Sequence, residues 1–153
     1  MDAACDNDVL FMEYALEQAR RAVRLGEVPV GAVVVREGRV LARAHNLREI
    51  LGDPTAHAEV LAIRRAAVAL GGWRLPGCVL YVTVEPCAMC AGAAVLARLD
   101  RLVYGARDPK AGACGSVLDV LSCEAFNHRV EVTGGVLEEQ CAGLISQFFR
   151  ARR

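Results

Sequence analysis

Apolar residues recur through the first part of the chain at the three- and four-residue spacing of an amphipathic helix, with Ala15, Ala19, Ala22 and Val23 on one face. Asp8 stands where it would cap that helix, which runs to about Leu25, and Gly26 stops it. Two β-branched runs follow, at 30–35 and 40–44, joined by Glu37-Gly38, a hairpin signal. The Asp53-Pro54-Thr55 turn leads into a second helix that opens at His57 and ends near Leu70, before Gly71-Gly72. Residues 79–84 read as a third strand, Pro86 begins a third helix reaching about Arg98, and 101–104 read as a fourth strand. A loop rich in Gly, Lys and Asp occupies 105–115. The pattern then predicts a short helix over 117–121, a last strand over 129–133 and a final helix over 137–151.

This alternation belongs to the α/β class. Central strands that are apolar on both faces need cover from both sides, so a three-layer α/β/α arrangement is expected, a mixed five-stranded sheet with helices on both faces. The 153 residues suit a single domain spanning 1–153.

Composition changes this picture little. The chain is 54% hydrophobic with a mean hydropathy of +0.29. Its apolar stretch at 87–97 nevertheless falls short of the roughly 18 residues of a membrane helix, so no membrane span is expected. The opening MDAACDNDV is acidic and lacks the features of a signal peptide, which predicts a cytoplasmic protein. In that reducing compartment Cys5, Cys78, Cys114, Cys123 and Cys141 are expected to be free thiols, mostly buried. Charge does matter: 18 basic and 18 acidic residues cancel, so no global field draws the chain to nucleic acid. Any such attraction must be local, from Arg20, Arg21 and Arg24 or from Arg150, Arg152 and Arg153, the latter beside Phe148 and Phe149.

The densest chemistry lies in His57-Ala58-Glu59 and Pro86-Cys87-Ala88-Met89-Cys90. His57, Cys87 and Cys90 make three metal donors. A structural zinc is closed by four protein groups, whereas a catalytic zinc keeps one position for water. Cys87 and Cys90, three apart at a helix start, point the same way, and the helix dipole favours their thiolates. Glu59, two residues from His57, diverges from it on a regular helix, which predicts His57 at an irregular first turn and Glu59 as a carboxylate outside the ligand set. The competing reading is a closed staple completed by His128, His45, Cys78 or Cys114, which leaves Glu59 without a role.

His-x-Glu with Pro-Cys-x-x-Cys is the established signature of zinc nucleobase deaminases. With it, the segments Val28-Pro-Val-Gly-Ala-Val, Asp53-Pro-Thr-Ala-His-Ala-Glu, Tyr81-Val-Thr-Val-Glu-Pro-Cys-Ala-Met-Cys-Ala-Gly-Ala, Gly105-Ala-Arg-Asp-Pro-Lys-Ala-Gly and Asn127-His-Arg-Val-Glu-Val resemble the bacterial tRNA-specific adenosine deaminases nearly end to end. The resemblance implies a cytidine-deaminase-like fold, a homodimer, one Zn2+ per subunit, and conversion of the wobble adenosine of a tRNA anticodon arm to inosine. The expected partner is an arginine tRNA with an A34 anticodon. Carried over by position, His57, Cys87 and Cys90 hold zinc and Glu59 is the catalytic acid and base. Asn46 hydrogen-bonds the base with a donor and an acceptor, Pro29 and Val30 line the pocket, and Ala58 touches the substrate. Asp108, Lys110, Phe149, Arg150 and Arg153 meet the flanking RNA. Of the two phenylalanines, Phe148 is expected to face inward as core. The zinc motif alone also suits a cytidine, guanine or pyrimidine-intermediate deaminase, or a zinc-stapled RNA-binding module without catalysis. A silent partner subunit is disfavoured by the intact Glu59.

Overall fold

The computed structural model describes residues 3–152. Its elements are α1 (Ala3–Arg24), β1 (Gly31–Arg36), β2 (Arg39–His45), α2 (Arg48–Leu51), α3 (Ala58–Leu70), β3 (Cys78–Val84), α4 (Ala88–Leu96), β4 (Arg101–Ala106), β5 (Glu131–Thr133) and α5 (Glu138–Arg150). Glu37 and Gly38 both take positive φ, 51° and 76°, the type I′ geometry whose twist matches the strands it joins.

The strand order is β2-β1-β3-β4-β5. β1 pairs antiparallel with β2 and with β3, while β3, β4 and β5 run parallel. Successive residues face opposite layers. Ala32, Val34, Leu80 and Val82 pack beneath α3 and α4, whereas Val33, Val35, Tyr81 and Val103 pack beneath α1 and α5. The three-layer α/β/α fold read from the pattern is thus the fold observed.

Register decides where the chemistry gathers. Gly31 pairs with His45, Ala32 with Val82, and Val84 with Ala106. The entry to β1, the exit of β2 and the exits of β3 and β4 therefore meet at one end of the sheet. Residues 29–30, Asn46, the 85–87 turn and the loop after Ala106 become neighbours.

Two local expectations need correction. Asp8 does not cap α1, which begins at Ala3. Asp8 lies within the helix, buried, where its carboxylate accepts from Tyr81 Oη at 2.8 Å and pairs with Arg101 at 2.8 and 2.7 Å. A partner on a distant strand outcompetes the local cap. Residues 117–121 form no helix: Gly115 N–H donates to Leu118 O at 2.8 Å and a bridge joins Cys114 to Asp119. The N–H groups of Cys114 and Ser116 are drawn instead to Glu85. A further short helix, α2, is held at its start by buried Glu27, which accepts from Glu49 N–H at 2.5 Å and Ile50 N–H at 3.3 Å.

Among the described residues no helix is long and apolar enough to cross a membrane.

Candidate metal and base-binding site

His57 is the residue before α3, with φ −75° and ψ 147°, and Cys87 is the residue before α4, with φ −74° and ψ 177°. Both backbones are extended, so each side chain leaves its helix at the end where unpaired N–H groups and the positive dipole converge. His57 is aimed by the turn before it. Asp53 Oδ1 accepts from Thr55 N–H at 2.8 Å and from the Thr55 hydroxyl at 2.7 Å, and Leu47 N–H donates to Ala56 O at 3.1 Å.

His57 Nδ1 lies 3.7 Å from Cys87 Sγ and 3.5 Å from Cys90 Sγ. Usual zinc–sulfur and zinc–nitrogen bonds at a tetrahedral angle separate such atoms by about 3.6 Å. The three donors thus fit one tetrahedral ion, and all lie within 4.8 Å of one another. No fourth His, Cys, Asp or Glu joins this group among the described residues. Of the alternatives for closing the site, His128 Nε2 is engaged with Leu99 O at 2.6 Å and His45 Nδ1 with Asn46 O at 3.0 Å.

Hydrogen bonds from Cys90 and His57 pull the Cys87 thiol down to about 3, although burial opposes this. Cys90 is pushed up by sharing its proton with Cys87 and by burial. The Cys87 contact raises His57 against its own burial. These contacts favour the thiolate at Cys87, and a divalent cation would deprotonate the second thiol outright.

Glu59 stands in the first turn of α3, only 4% exposed and outside the donor group. Burial raises its carboxyl above the ordinary range, while its own backbone N–H and the nearby His57 pull the other way.

Asn46 is buried, and its Oδ1 accepts from Ala58 N–H at 2.9 Å. One of the two lone pairs of Oδ1 is thereby spent on α3, and Nδ2 remains a donor. Asn46 N–H donates to Val30 O at 3.2 Å, so Asn46 links the start of β1 to Ala58, the residue after the His57 donor. Asp108 spends one oxygen on its own loop, accepting from Lys110 N–H at 3.0 Å and Ala111 N–H at 3.1 Å. Lys110 and Arg150 are exposed. Phe149 is 48% exposed and edge-on to Phe148, which is 8% exposed as expected of core. Arg153 lies outside the described residues.

Sequence reading missed two residues here, Glu27 and Glu85, and placed Arg152 only in a cluster for nucleic acid. Arg152 packs on the Phe148 ring at 4.1 Å and donates to Gly26 O at 2.9 Å, tying α5 to the loop before β1. Glu27 anchors α2. Glu85, between an apolar strand and the Pro-Cys motif, is 2% exposed; burial works against its charge, but the Ser116 hydroxyl and three backbone N–H groups hold it below the usual carboxylate range. An acid at the end of a buried strand was the available signal for Glu85.

Fold and site together define a deaminase of the cytidine-deaminase-like class, and the MafB19-like deaminase family model matches residues 6–153. The tRNA-specific adenosine deaminase of Bacillus subtilis strain 168 is 54% identical over 146 residues, which are 95% of this chain and 91% of that protein. A solved structure from work on A-to-I editing by tRNA:A34 deaminases at the wobble position of transfer RNA has a TM-score of 0.85 at 51% identity, over 88% of this chain and 97% of that one. A guanine deaminase from Nitrosomonas europaea gives 0.77 at 26% identity, over 92% and 83% of the two chains. The chain belongs to the tRNA-specific adenosine deaminase family.

Proposed function

We propose that this chain hydrolyses adenosine to inosine at wobble position 34 of a tRNA anticodon, releasing ammonia, with one zinc ion per subunit held by His57, Cys87 and Cys90. The observation that carries the proposal is the buried Glu59 carboxyl beside a three-donor group that no fourth described side chain closes. When bound, zinc supplies a nucleophile at neutral pH by lowering the pKa of water to roughly 7.

Glu59 takes the proton that the attacking water gives up and delivers it to N1 of adenine. It then takes the remaining proton from the oxygen newly bonded to C6 and passes it to the N6 amine, so that the C6–N6 bond breaks, the C6 carbonyl forms and ammonia leaves. Its raised carboxyl suits a group that must both accept and return a proton. Asn46 Nδ2 donates to a ring acceptor of the base, while Pro29, Val30 and Ala58 wall the pocket. Asp108, Lys110, Phe149, Arg150 and Arg153 contact the flanking RNA. An anticodon loop suits the site because its bases are unpaired, so extruding one costs less than the few kcal/mol of a duplex.

The protein works as a homodimer in the cytoplasm. Support for the dimer comes from α4, whose exposed Leu96 lines an apolar cleft with Gly92, Val95 and Phe126.

The test is inosine formation in an A34 anticodon stem-loop of arginine tRNA, with free cytidine and guanine as comparators. The wild-type chain is expected to convert the stem-loop selectively. Glu59→Ala is expected to keep zinc and RNA while turnover falls about 10²- to 10⁴-fold. Preference for a free base would sink the tRNA reading.

A further inference from the structure

Glu85 directly follows β3 and directly precedes Pro86-Cys87. Its carboxylate spans a whole loop. One oxygen, Oε1, accepts from Asp108 N–H at 3.2 Å and from the Ser116 hydroxyl. The other, Oε2, accepts from Cys114 N–H at 3.0 Å and Ser116 N–H at 3.1 Å. Among the described residues no arginine or lysine pairs with it. Four donors drawn from the loop alone satisfy a buried charge.

The loop is built around this group. A side chain at Gly112 would overlap the Glu85 carboxylate and the Asp108 carbonyl oxygen, so only glycine lets the chain pass. Glu85 N–H donates to Ala106 O at 2.8 Å and Ala113 N–H to Pro86 O at 2.8 Å, so the same short segment grips the loop at both ends. Between 107 and 113 the chain has neither helix nor strand of its own, and Arg107 and Lys110 point outward into solvent. Its shape therefore depends on Glu85.

We propose that Glu85 is a positioning residue for RNA capture, its buried carboxylate holding the 107–116 loop in the form that offers Arg107, Asp108 and Lys110 to nucleotides flanking the target base. The inference rests on the reading of this loop as RNA-facing. Glutamine cannot substitute. An amide turned either way sets its NH2 against at least one fixed backbone N–H, that of Asp108 on one side or those of Cys114 and Ser116 on the other. Alanine at Ser116 removes a single donor and leaves the carboxylate and the metal-binding turn untouched.

The experiment compares the zinc-loaded wild type, Glu85→Gln and Ser116→Ala on the A34 anticodon stem-loop, reading kcat and KM separately, zinc content, and amide hydrogen exchange. For Glu85→Gln the KM is expected to rise about tenfold or more, with kcat within about threefold and zinc content unchanged. The Asp108, Cys114 and Ser116 amides should exchange about tenfold faster while α1 and α3 exchange as before. Ser116→Ala should show a smaller KM rise, about threefold, and remains informative if Glu85→Gln fails to fold. Unchanged KM in a folded variant overturns the inference, as does a fall in kcat and zinc content at constant KM, which would make Glu85 a support of the metal turn alone. A wild-type enzyme that forms no inosine overturns the functional reading itself, and this inference with it.

Discussion

His57 and Cys87 occupy the same structural position on two different helices: each is the extended residue just before the first turn, and His57 Nδ1 lies 3.7 Å from Cys87 Sγ. Parallel delivery from two helix starts gives the donor group its shape. The helices α3 and α4 pack on one face of the sheet, so the distance between their N-termini is set by core residues such as Ala62 and Ala94 rather than by a flexible loop.

Loss of any one donor should empty the site. His57→Ala, Cys87→Ala and Cys90→Ala are each expected to weaken zinc binding by more than about 100-fold, since removing a mere supporting partner already costs 10- to 100-fold. Zinc affinity of the wild type should fall as pH falls, because the ligands bind metal only when deprotonated. Metal analysis after dialysis, and loss and recovery of inosine formation on chelation and zinc addition, check both.

Asn46→Asp separates two jobs of one side chain. The carboxylate keeps an acceptor for Ala58 N–H but loses the Nδ2 donor. Thermal stability should stay near wild type while kcat/KM for the stem-loop falls about 10- to 100-fold, the cost of one unmet buried hydrogen bond. A melting curve beside the kinetics decides; an equal loss in both would give Asn46 a structural role only.

Asp8 and Arg101 join α1 to β4 through a mostly buried pair. Burial works against the Asp8 charge, yet the Arg101 and Tyr81 hydrogen bonds hold its carboxyl below the ordinary value. The folded value is depressed, so the pair's stabilisation is fully present above the ordinary carboxylate pKa and is lost as pH falls through the lowered one. Asp8→Asn should cost about 3 to 5 kcal/mol near neutrality and flatten this acid dependence. Urea melts of both proteins from about pH 7 to about pH 3 measure it.

Phe148 and Phe149 should behave oppositely. Phe148→Ala removes a buried ring and the platform under Arg152, and is expected to destabilise the fold by about 3 kcal/mol or more. Phe149→Ala, half exposed, should leave stability within about 0.5 kcal/mol and weaken RNA binding by about 1 to 3 kcal/mol. Denaturant unfolding and stem-loop titration give the two readouts.

Leu96 is 70% exposed at the end of α4. If a second copy covers this face, Leu96→Asp should convert a dimer to a monomer in sedimentation. A monomeric wild type at micromolar concentration would remove the interface from α4.

Much of the site was legible before any coordinates. His57, Cys87, Cys90 and Glu59 are encoded by spacing within two short motifs at helix starts, and spacing along a helix is a local property. The strands were legible because their neighbours on both faces demand continuous apolar runs, as in residues 79–84. Asp8 was misread for the opposite reason: capping is local, and its true partner Arg101 lies 93 positions away. At 117–121 the backbone turns to other partners, Val117 and Leu118 N–H donating to Gly112 O and Val120 N–H to Ala113 O, in a loop whose Cys114 and Ser116 N–H groups are held by Glu85 from 29 and 31 residues earlier in the chain.

What the chain by itself determined, then, is the donor inventory and the order of helices and strands, because both are written in side-chain periodicity. Only the tertiary structure decided that Asp8 pairs with Arg101, that Asn46 Oδ1 accepts from Ala58 N–H, and that Glu85 accepts from the N–H groups of the loop after β4. Those outcomes depend on which distant groups satisfy a buried polar atom, and no local pattern records that pairing.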